Sequence, residues 1–277
     1  LPELPEVEAV RRRLDPAMSG ARFTRVTVRR PDLRIPFPRR FAARLTGETV
    51  LSVTRRAKYL AAELSSGETL LMHLGMSGSF RVERPGTGKA RTPRAQGKHD
   101  HVVFEMSNGA VVTFTDPRRF GFMDLLTPRQ VAAHPALSTL GPEPLSDAFD
   151  ATALARASKG KKTSLKAALL DQRVVAGLGN IYVVEALHRA GLSPMRPASI
   201  LATASGKPRP SAHRLAKEIK QVLLEAIERK RNPSYRANRF RVYDREDEPC
   251  GTRGCGGRIQ RRTQAGRSTF YCPSCQR

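Results

Sequence analysis

Apolar positions return at helical spacing from Val7 to Met18, with Pro5 and Glu6 near the start of the run and Ser19-Gly20 at its end, which predicts one amphipathic helix. From there to about Leu126 the pattern changes. RFTRVTV, TVLSVTRRAKYLAAEL, TLLMHLGMSGSF, HVVFEM and AVVTF alternate or stay apolar between turn residues, as strands do, and Ser107-Asn108-Gly109 separates two of these runs as a tight hairpin. Between Thr127 and Asp150 the chain is rich in Pro, Gly and short polar pieces, suiting a connection. Beyond it lie helical segments near 151–158, 163–171, 180–190 and 211–230, and 83–98 is a Gly/Pro/basic loop expected to be mobile. The expected class is α+β: an N-terminal antiparallel β-sandwich carrying one helix, then a helical domain ending in a small cysteine-bearing hairpin.

A chain of 277 residues is long enough for two domains with separate cores. Its 49 Lys+Arg against 25 Asp+Glu leave a formal net charge of +24, a surplus that points to a polyanionic partner, nucleic acid first. A membrane surface ranks last, because no basic amphipathic helix with a bulky apolar face stands out. No window approaches a spanning segment, and LPELPEVEAVRRR lacks the apolar stretch of a secretory signal, so a cytoplasmic protein is expected.

In that reducing compartment the four cysteines read as metal ligands. Cys250 and Cys255 flank one short knuckle, Cys272 and Cys275 another, and two short β-like arms around Gly266 separate them. Four thiolates so placed fit one tetrahedral Zn2+ whose binding energy folds a hairpin too small to fold alone.

The amino end offers more specific chemistry. Pro2-Glu3-Leu4-Pro5-Glu6-Val7-Glu8 crowds three carboxylates beside a proline nitrogen. A free secondary amine attacks an aldehydic or sugar carbon to give an iminium ion, and a neighbouring carboxylic acid protonates the leaving group. The competing reading is a plain helix start, with acidic side chains at its positive end.

PELPEVE at the start, RRAKYL at 55–60, HLGMSGS at 73–79, KHDHV at 98–102, TDPRRFG at 115–121, GLGNIY at 177–182 and GRSTFYCPSCQ at 266–276 together closely resemble the formamidopyrimidine-DNA glycosylases. The blocks span nearly the whole chain, in order. The related endonuclease VIII enzymes share the architecture, but HLGMSGS, TDPRRFG and LGPEPL look more like the formamidopyrimidine branch.

The resemblance implies a catalytic β-sandwich over 2–130, a linker over 131–150, a helix–two-turns–helix DNA-binding domain over 151–232 and a zinc-finger hairpin over 240–277. It implies a bifunctional base-excision-repair enzyme that removes formamidopyrimidines and 8-oxoguanine and then nicks the abasic strand by β,δ-elimination. Pro2 is implied as nucleophile and Glu3 as acid and proton shuttle, with Glu6 as a supporting carboxylate or merely a helix starter. Lys58 is implied to point at the phosphates beside the lesion, its bland alternative being an exposed strand lysine. His73 matches a phosphate contact, or else is simply packed. His99, in the KHDHV block, is counted with the DNA-binding residues. Met76, Arg118 and Phe120 match the side chains that fill the hole left by an everted nucleotide, although alone Met76 and Phe120 read as core. Asn180 matches a phosphate contact compatible with a plain N-cap, and Arg267 a second phosphate ligand in the zinc hairpin. The implied cofactor is one structural Zn2+ on Cys250, Cys255, Cys272 and Cys275. The implied partner is double-stranded DNA carrying oxidised bases or abasic sites, bound by a monomer without membrane contact in the bacterial cytoplasm, nucleoid-associated when bound.

Three positions depart from the family pattern. Leu1 stands where an initiator methionine is usual; a non-standard start codon translated literally accounts for it, the residue being removed to free the Pro2 nitrogen. The stretch IERKRNPSYRANRFRVYDRED is shorter than usual by about ten residues, which bears on recognition of 8-oxoguanine more than on abasic-site chemistry. The first cysteine knuckle has four intervening residues, where two are commoner. Two rivals remain: an endonuclease VIII-like glycosylase for oxidised pyrimidines, and a non-catalytic binder of damaged DNA should the N-terminus be blocked.

Overall fold

A computed structural model describes residues 2–84, 97–231 and 240–277. Leu1, most of the 83–98 loop and the shortened stretch over 232–239 lie outside the described residues. The chain divides into two compact units, Leu1–Ser138 and Thr139–Arg277.

The first unit opens with α1 (Leu4–Met18), three residues earlier than the apolar spacing suggests, because Pro5 is tolerated in a first turn that needs no donor there. Leu4, Val7, Val10, Leu14, Ala17 and Met18 form its buried face. Eight strands follow: β1 (Phe23–Val28), β2 (Val50–Arg56), β3 (Tyr59–Leu64), β4 (Thr69–His73), β5 (Ser79–Glu83), β6 (Asp100–Met106), β7 (Val111–Thr115) and β8 (Phe122–Leu126), with the short helix α2 (Phe41–Leu45) between β1 and β2. They form two antiparallel sheets of four, ordered β1-β6-β7-β5 and β2-β3-β4-β8. One core joins the sheets and α1, built from residues such as Phe23, Leu60, Leu70, Phe104 and Phe114, with Phe23 and Phe104 at 5.3 Å between ring centroids. The 107–109 turn is as expected: Asn108 caps it through Ala110 N–H and ties it to α1 through the Ala17 carbonyl.

Two expectations change here. The run around RRAKYL is broken: β2 and β3 are joined by a two-residue turn, Ala57-Lys58, with Ala57 at φ 52, so Lys58 sits on a hairpin tip and not within a strand. The segment after β8 is also less irregular than its prolines suggest, since α3 (Pro128–Ala133) and α4 (Pro135–Ser138) occupy it. Thr127 and Gln130 form a reciprocal capping box that starts α3.

Among its described residues the second unit contains α5 (Ala151–Ser158), α6 (Leu165–Leu170), α7 (Asn180–Arg189), a 3-10 turn (Ala198–Leu201), α8 (Pro210–Arg231) and the hairpin β9 (Gln260–Gln264) and β10 (Arg267–Tyr271). Asp150 caps α5 and Ser164 caps α6. The paired guanidinium of Arg189 and carboxylate of Glu225, at 2.7 Å, link α7 to α8. The hairpin builds a small core of its own with Val184, Val242, Ile259 and Phe270. Among the described residues no helix is long and apolar enough to cross a membrane.

Candidate active site and nucleic-acid contacts

In the first unit the head of α1 is held by its own carboxylates. Glu3 occupies the N-cap position with extended backbone, its residue only 3% exposed, and its amide N–H donates to Glu6 Oε2 at 2.9 Å. Glu6 therefore does start the helix, and in doing so it fixes the peptide that carries Pro2. One turn on, Glu8 accepts from Arg11, Arg12 and Arg55. Burial alone would raise its pKa, but hydrogen bonds from Arg11 and Arg12 and the charges of Arg11 and Arg55 outweigh it and leave it lowered. Arg55 also donates to the Ala57 carbonyl at 2.9 Å, so a Glu8–Arg55–Ala57 relay anchors the Lys58 turn to α1.

His73 ends β4 in a half-buried aromatic setting, 4.9 Å from the Tyr59 ring and stacked on Phe122 at 5.5 Å. Its Nδ1 accepts the Gly75 N–H at 3.1 Å, which leaves the proton on Nε2. Burial, then the positive charges of Lys58 and Arg34, bring its pKa down to about 4. At neutral pH this is an uncharged N–H donor beside two cations, a combination suited to an anionic oxygen.

The loop after β4 and the loop after β7 are tied together by one buried carboxylate. Asp116 accepts Ser77 Oγ–H at 2.5 Å on Oδ1 and Gly121 N–H at 2.8 Å on Oδ2, while Ser77 Oγ accepts Arg118 N–H at 3.0 Å. A side chain at Gly75 would strike the Phe120 backbone, its Cβ 2.2 Å from that carbonyl carbon, so glycine is required for this approach. Met76 in one loop and Arg118 and Phe120 in the other are thus brought together, with the Arg118 guanidinium 5.0 Å from the centre of the Phe120 ring. Phe120 is 43% exposed and outside the core, and Met76 is only half-buried. His99 lies in the turn before β6, its carbonyl accepting Asp116 N–H at 3.0 Å.

In the second unit Asn180 is the first residue of α7, but Gly179 holds the N-cap position, which corrects the N-cap reading of Asn180. The Asn180 side chain instead donates to the Ser268 carbonyl at 2.9 Å. Lys166, fully buried on α6, donates to that same carbonyl at 3.0 Å and to Thr269 Oγ1 at 2.6 Å. Burial, then the neighbouring Arg267 charge, lowers its pKa to about 8, so it remains mostly protonated at neutral pH. Arg267, exposed at the start of β10, is therefore next to a carbonyl held from two helices.

The four cysteine sulfurs all lie within 4.8 Å of one another, with Cys250 and Cys275 at 3.8 Å and Cys255 and Cys272 at 3.5 Å. Sulfurs set about 2.3 Å from a tetrahedral zinc stand about 3.8 Å apart, so the donor set fits one structural Zn2+. Gly257 is needed beside it, because a Cβ there would fall 2.9 Å from Cys272 Sγ. Gln276 braces the second knuckle, accepting Cys272 N–H at 2.7 Å and donating to the Leu192 carbonyl at 2.9 Å.

Sequence reasoning missed Lys166, the Glu8–Arg55 relay and Glu185. A lysine inside LKAALL reads as solvated, and nothing local marks its partners about a hundred residues on. Glu185, buried on α7, accepts the successive N–H groups of Arg241, Val242 and Tyr243, each at 2.9 Å. Its place in the apolar helix YVVEALH was the only available signal.

These features define a zinc-finger, DNA-binding class of enzyme. Three family profiles match in order: the formamidopyrimidine-DNA glycosylase N-terminal domain at residues 1–123, the H2TH domain of the same enzymes at 140–236, and a zinc finger found in FPG and IleRS at 247–277. The formamidopyrimidine-DNA glycosylase of Rhodopseudomonas palustris strain BisA53 is 58% identical, covering 100% of both chains. Among solved structures, the Lactococcus lactis enzyme bound non-covalently to DNA containing an AP site matches with a TM-score of 0.85 at 32% identity over 100% of both chains. Its complex with DNA containing Fapy-dG matches with a TM-score of 0.83 at 31% identity, over 99% of this chain and 100% of that one. The chain belongs to the formamidopyrimidine-DNA glycosylase family.

Two outcomes follow from the geometry. The unfolded imidazole, with a pKa of 6.5, binds protons that the folded His73 refuses until about pH 4, so its contribution is whole above 6.5 and declines as pH falls through that window. Denaturation curves from pH 7 to 4.5 should be flatter for His73→Gln, and parallel curves would contradict the assignment. Lys166→Met should destabilise the second unit by about 1.5–3 kcal/mol, the worth of a charged hydrogen bond; an unchanged unfolding midpoint would show that the clamp contributes nothing.

Proposed function

We propose that this chain excises oxidised purines, formamidopyrimidines and 8-oxoguanine, from double-stranded DNA and then cuts the resulting abasic strand, with the Pro2 nitrogen as nucleophile. The observation that carries the reading is the head of α1, where a buried carboxylate, Glu3, directly follows Pro2 and its peptide is fixed by Glu6. Membership of a glycosylase family and the net charge of +24 support the same substrate class.

In this reading the proline nitrogen attacks C1′ as the bond from C1′ to the base breaks, and the departing base takes a proton relayed by Glu3. The nitrogen then loses its proton, which passes through Glu3 to O4′ as the lone pair forms the C1′=N bond and the C1′–O4′ bond breaks; the resulting ring-opened iminium acidifies C2′. Loss of a C2′ proton expels the 3′ phosphate oxygen, a second elimination expels the 5′ phosphate oxygen, and a gap flanked by phosphates remains. Lys58 and the neutral His73 hold phosphates beside the lesion, Asn180 and Arg267 grip others, and His99 adds a DNA contact. Met76, Arg118 and Phe120 fill the vacated stack, offsetting part of the few kcal/mol that base eversion costs. The zinc, on its four thiolates, supplies folding energy to the hairpin that carries Arg267 and takes no part in bond breaking. The enzyme acts as a monomer in the bacterial cytoplasm, associated with the nucleoid when bound.

The reading requires an unblocked Pro2 nitrogen, with Leu1 removed. Borohydride should then trap the processed chain covalently on abasic-site duplexes, with cleavage of formamidopyrimidine and 8-oxoguanine exceeding that of thymine glycol. Glu3→Gln should lose base excision by at least 100-fold, the lower range for general acid catalysis. Undiminished trapping by Pro2→Gly carrying an acetylated N-terminus would overturn the nucleophile. Preference for thymine glycol would instead favour an endonuclease VIII-like activity.

A further inference from the structure

The last turn of α7 carries a histidine that the excision chemistry does not use. His188 is buried, and its Nε2 lies 3.4 Å from Cys250 Sγ, 3.3 Å from Thr252 Oγ1 and 3.9 Å from Cys275 Sγ. Its other ring nitrogen, Nδ1, is buried and has no hydrogen-bond partner among the described residues. Those two facts fix the tautomer. A proton on Nδ1 would be a desolvated donor with nothing to meet, costing about 1–3 kcal/mol, whereas a proton on Nε2 points at sulfur. A neutral imidazole with its hydrogen on Nε2 is then a donor aimed at a metal-bound thiolate.

We propose that His188 is an outer hydrogen-bond donor of the zinc centre, giving its Nε2–H to the Cys250 thiolate and thereby positioning the first cysteine knuckle against the end of α7. The sulfur is the natural acceptor. A zinc-bound thiolate keeps negative charge, and at 3.4 Å the contact is ordinary for N–H to sulfur, whose larger radius lengthens the bond. Thr252 is the competitor, its Oγ1 being equally near at 3.3 Å, but a neutral hydroxyl oxygen is a weaker acceptor than a charged thiolate. The arrangement serves two ends. It lowers the charge density on Cys250, making that thiolate less prone to oxidation, and it fastens the knuckle with four intervening residues to a helix whose first residue is Asn180. The longer knuckle is the one that gains the extra tether. This inference is independent of the chemistry proposed at Pro2.

The test uses the full chain, with His188→Phe removing the donor while keeping a ring in the pocket, His188→Gln restoring an N–H, and Thr252→Val removing the rival acceptor. Zinc affinity is read by competition with a chromogenic chelator. The sulfur-to-metal charge-transfer band of the Co2+-substituted protein is read separately, because it reports only on folded, loaded molecules and survives a loss of stability. Loss of an outer-shell partner typically costs 10–100-fold in metal affinity, and that is the loss expected for His188→Phe. Its cobalt band should move to longer wavelength, since a thiolate without its hydrogen bond gives up electron density more readily. His188→Gln should recover part of both effects, and Thr252→Val should behave like the parent. A His188→Phe chain with the parent's cobalt band would overturn the proposal, as would a Thr252→Val chain that reproduces the His188→Phe shift.

Discussion

The amide of Glu3 bound to the Glu6 carboxylate is the contact on which the rest of the catalytic reading depends. A chain end is ordinarily the least ordered part of a domain, and a nucleophile placed there would sample many positions. Here the N-cap peptide is fixed from within the first turn, and the helix behind it is buried along Leu4, Val7, Val10 and Leu14. Glu8, on the same helix, reaches Arg55 and through it the Ala57 carbonyl, so the Lys58 turn is referenced to α1 and not to the sheet alone. The sandwich core therefore orders α1, and the hydrogen bond from Glu3 to Glu6 carries that order to the peptide between Pro2 and Glu3.

The second unit applies the same logic to a different problem. A two-stranded hairpin is too small to hold an exposed arginine in place by its own packing. Zinc closes one end of the β9–β10 hairpin, and at the other the Ser268 carbonyl receives Lys166 from α6 and Asn180 from α7. Burying a lysine is costly unless its ammonium is well bonded, and the two acceptors offered by Ser268 and Thr269 meet that demand. Glu185 does the converse, a buried carboxylate taking three consecutive backbone N–H groups as the chain returns after α8.

The β-sandwich was legible because its strands alternate or run apolar between strong turn residues, and the four-cysteine centre because two close pairs of cysteines flank a short hairpin. The resemblance blocks brought the remaining candidates to notice. What escaped was non-local or conformationally unusual. Lys58 looked like a strand residue because the left-handed residue before it is alanine, where a turn is usually signalled by Gly or Asn. Asn180 looked like a cap because its true partner lies in the hairpin, 88 positions away. The helix after Thr127 was readable in principle, since Thr127-Pro128-Arg129-Gln130 is a capping-box pattern, but the surrounding prolines masked it. Lys166 and Glu185 are charged residues whose burial follows only from tertiary partners.

The proposed nucleophile is the Pro2 nitrogen. Digestion of a borohydride-reduced adduct with abasic DNA, followed by tandem mass spectrometry, locates the sugar remnant on a single residue. The account predicts that the added mass sits on the Pro2 imino nitrogen; its appearance on a lysine side chain, Lys58 or any other, would contradict it.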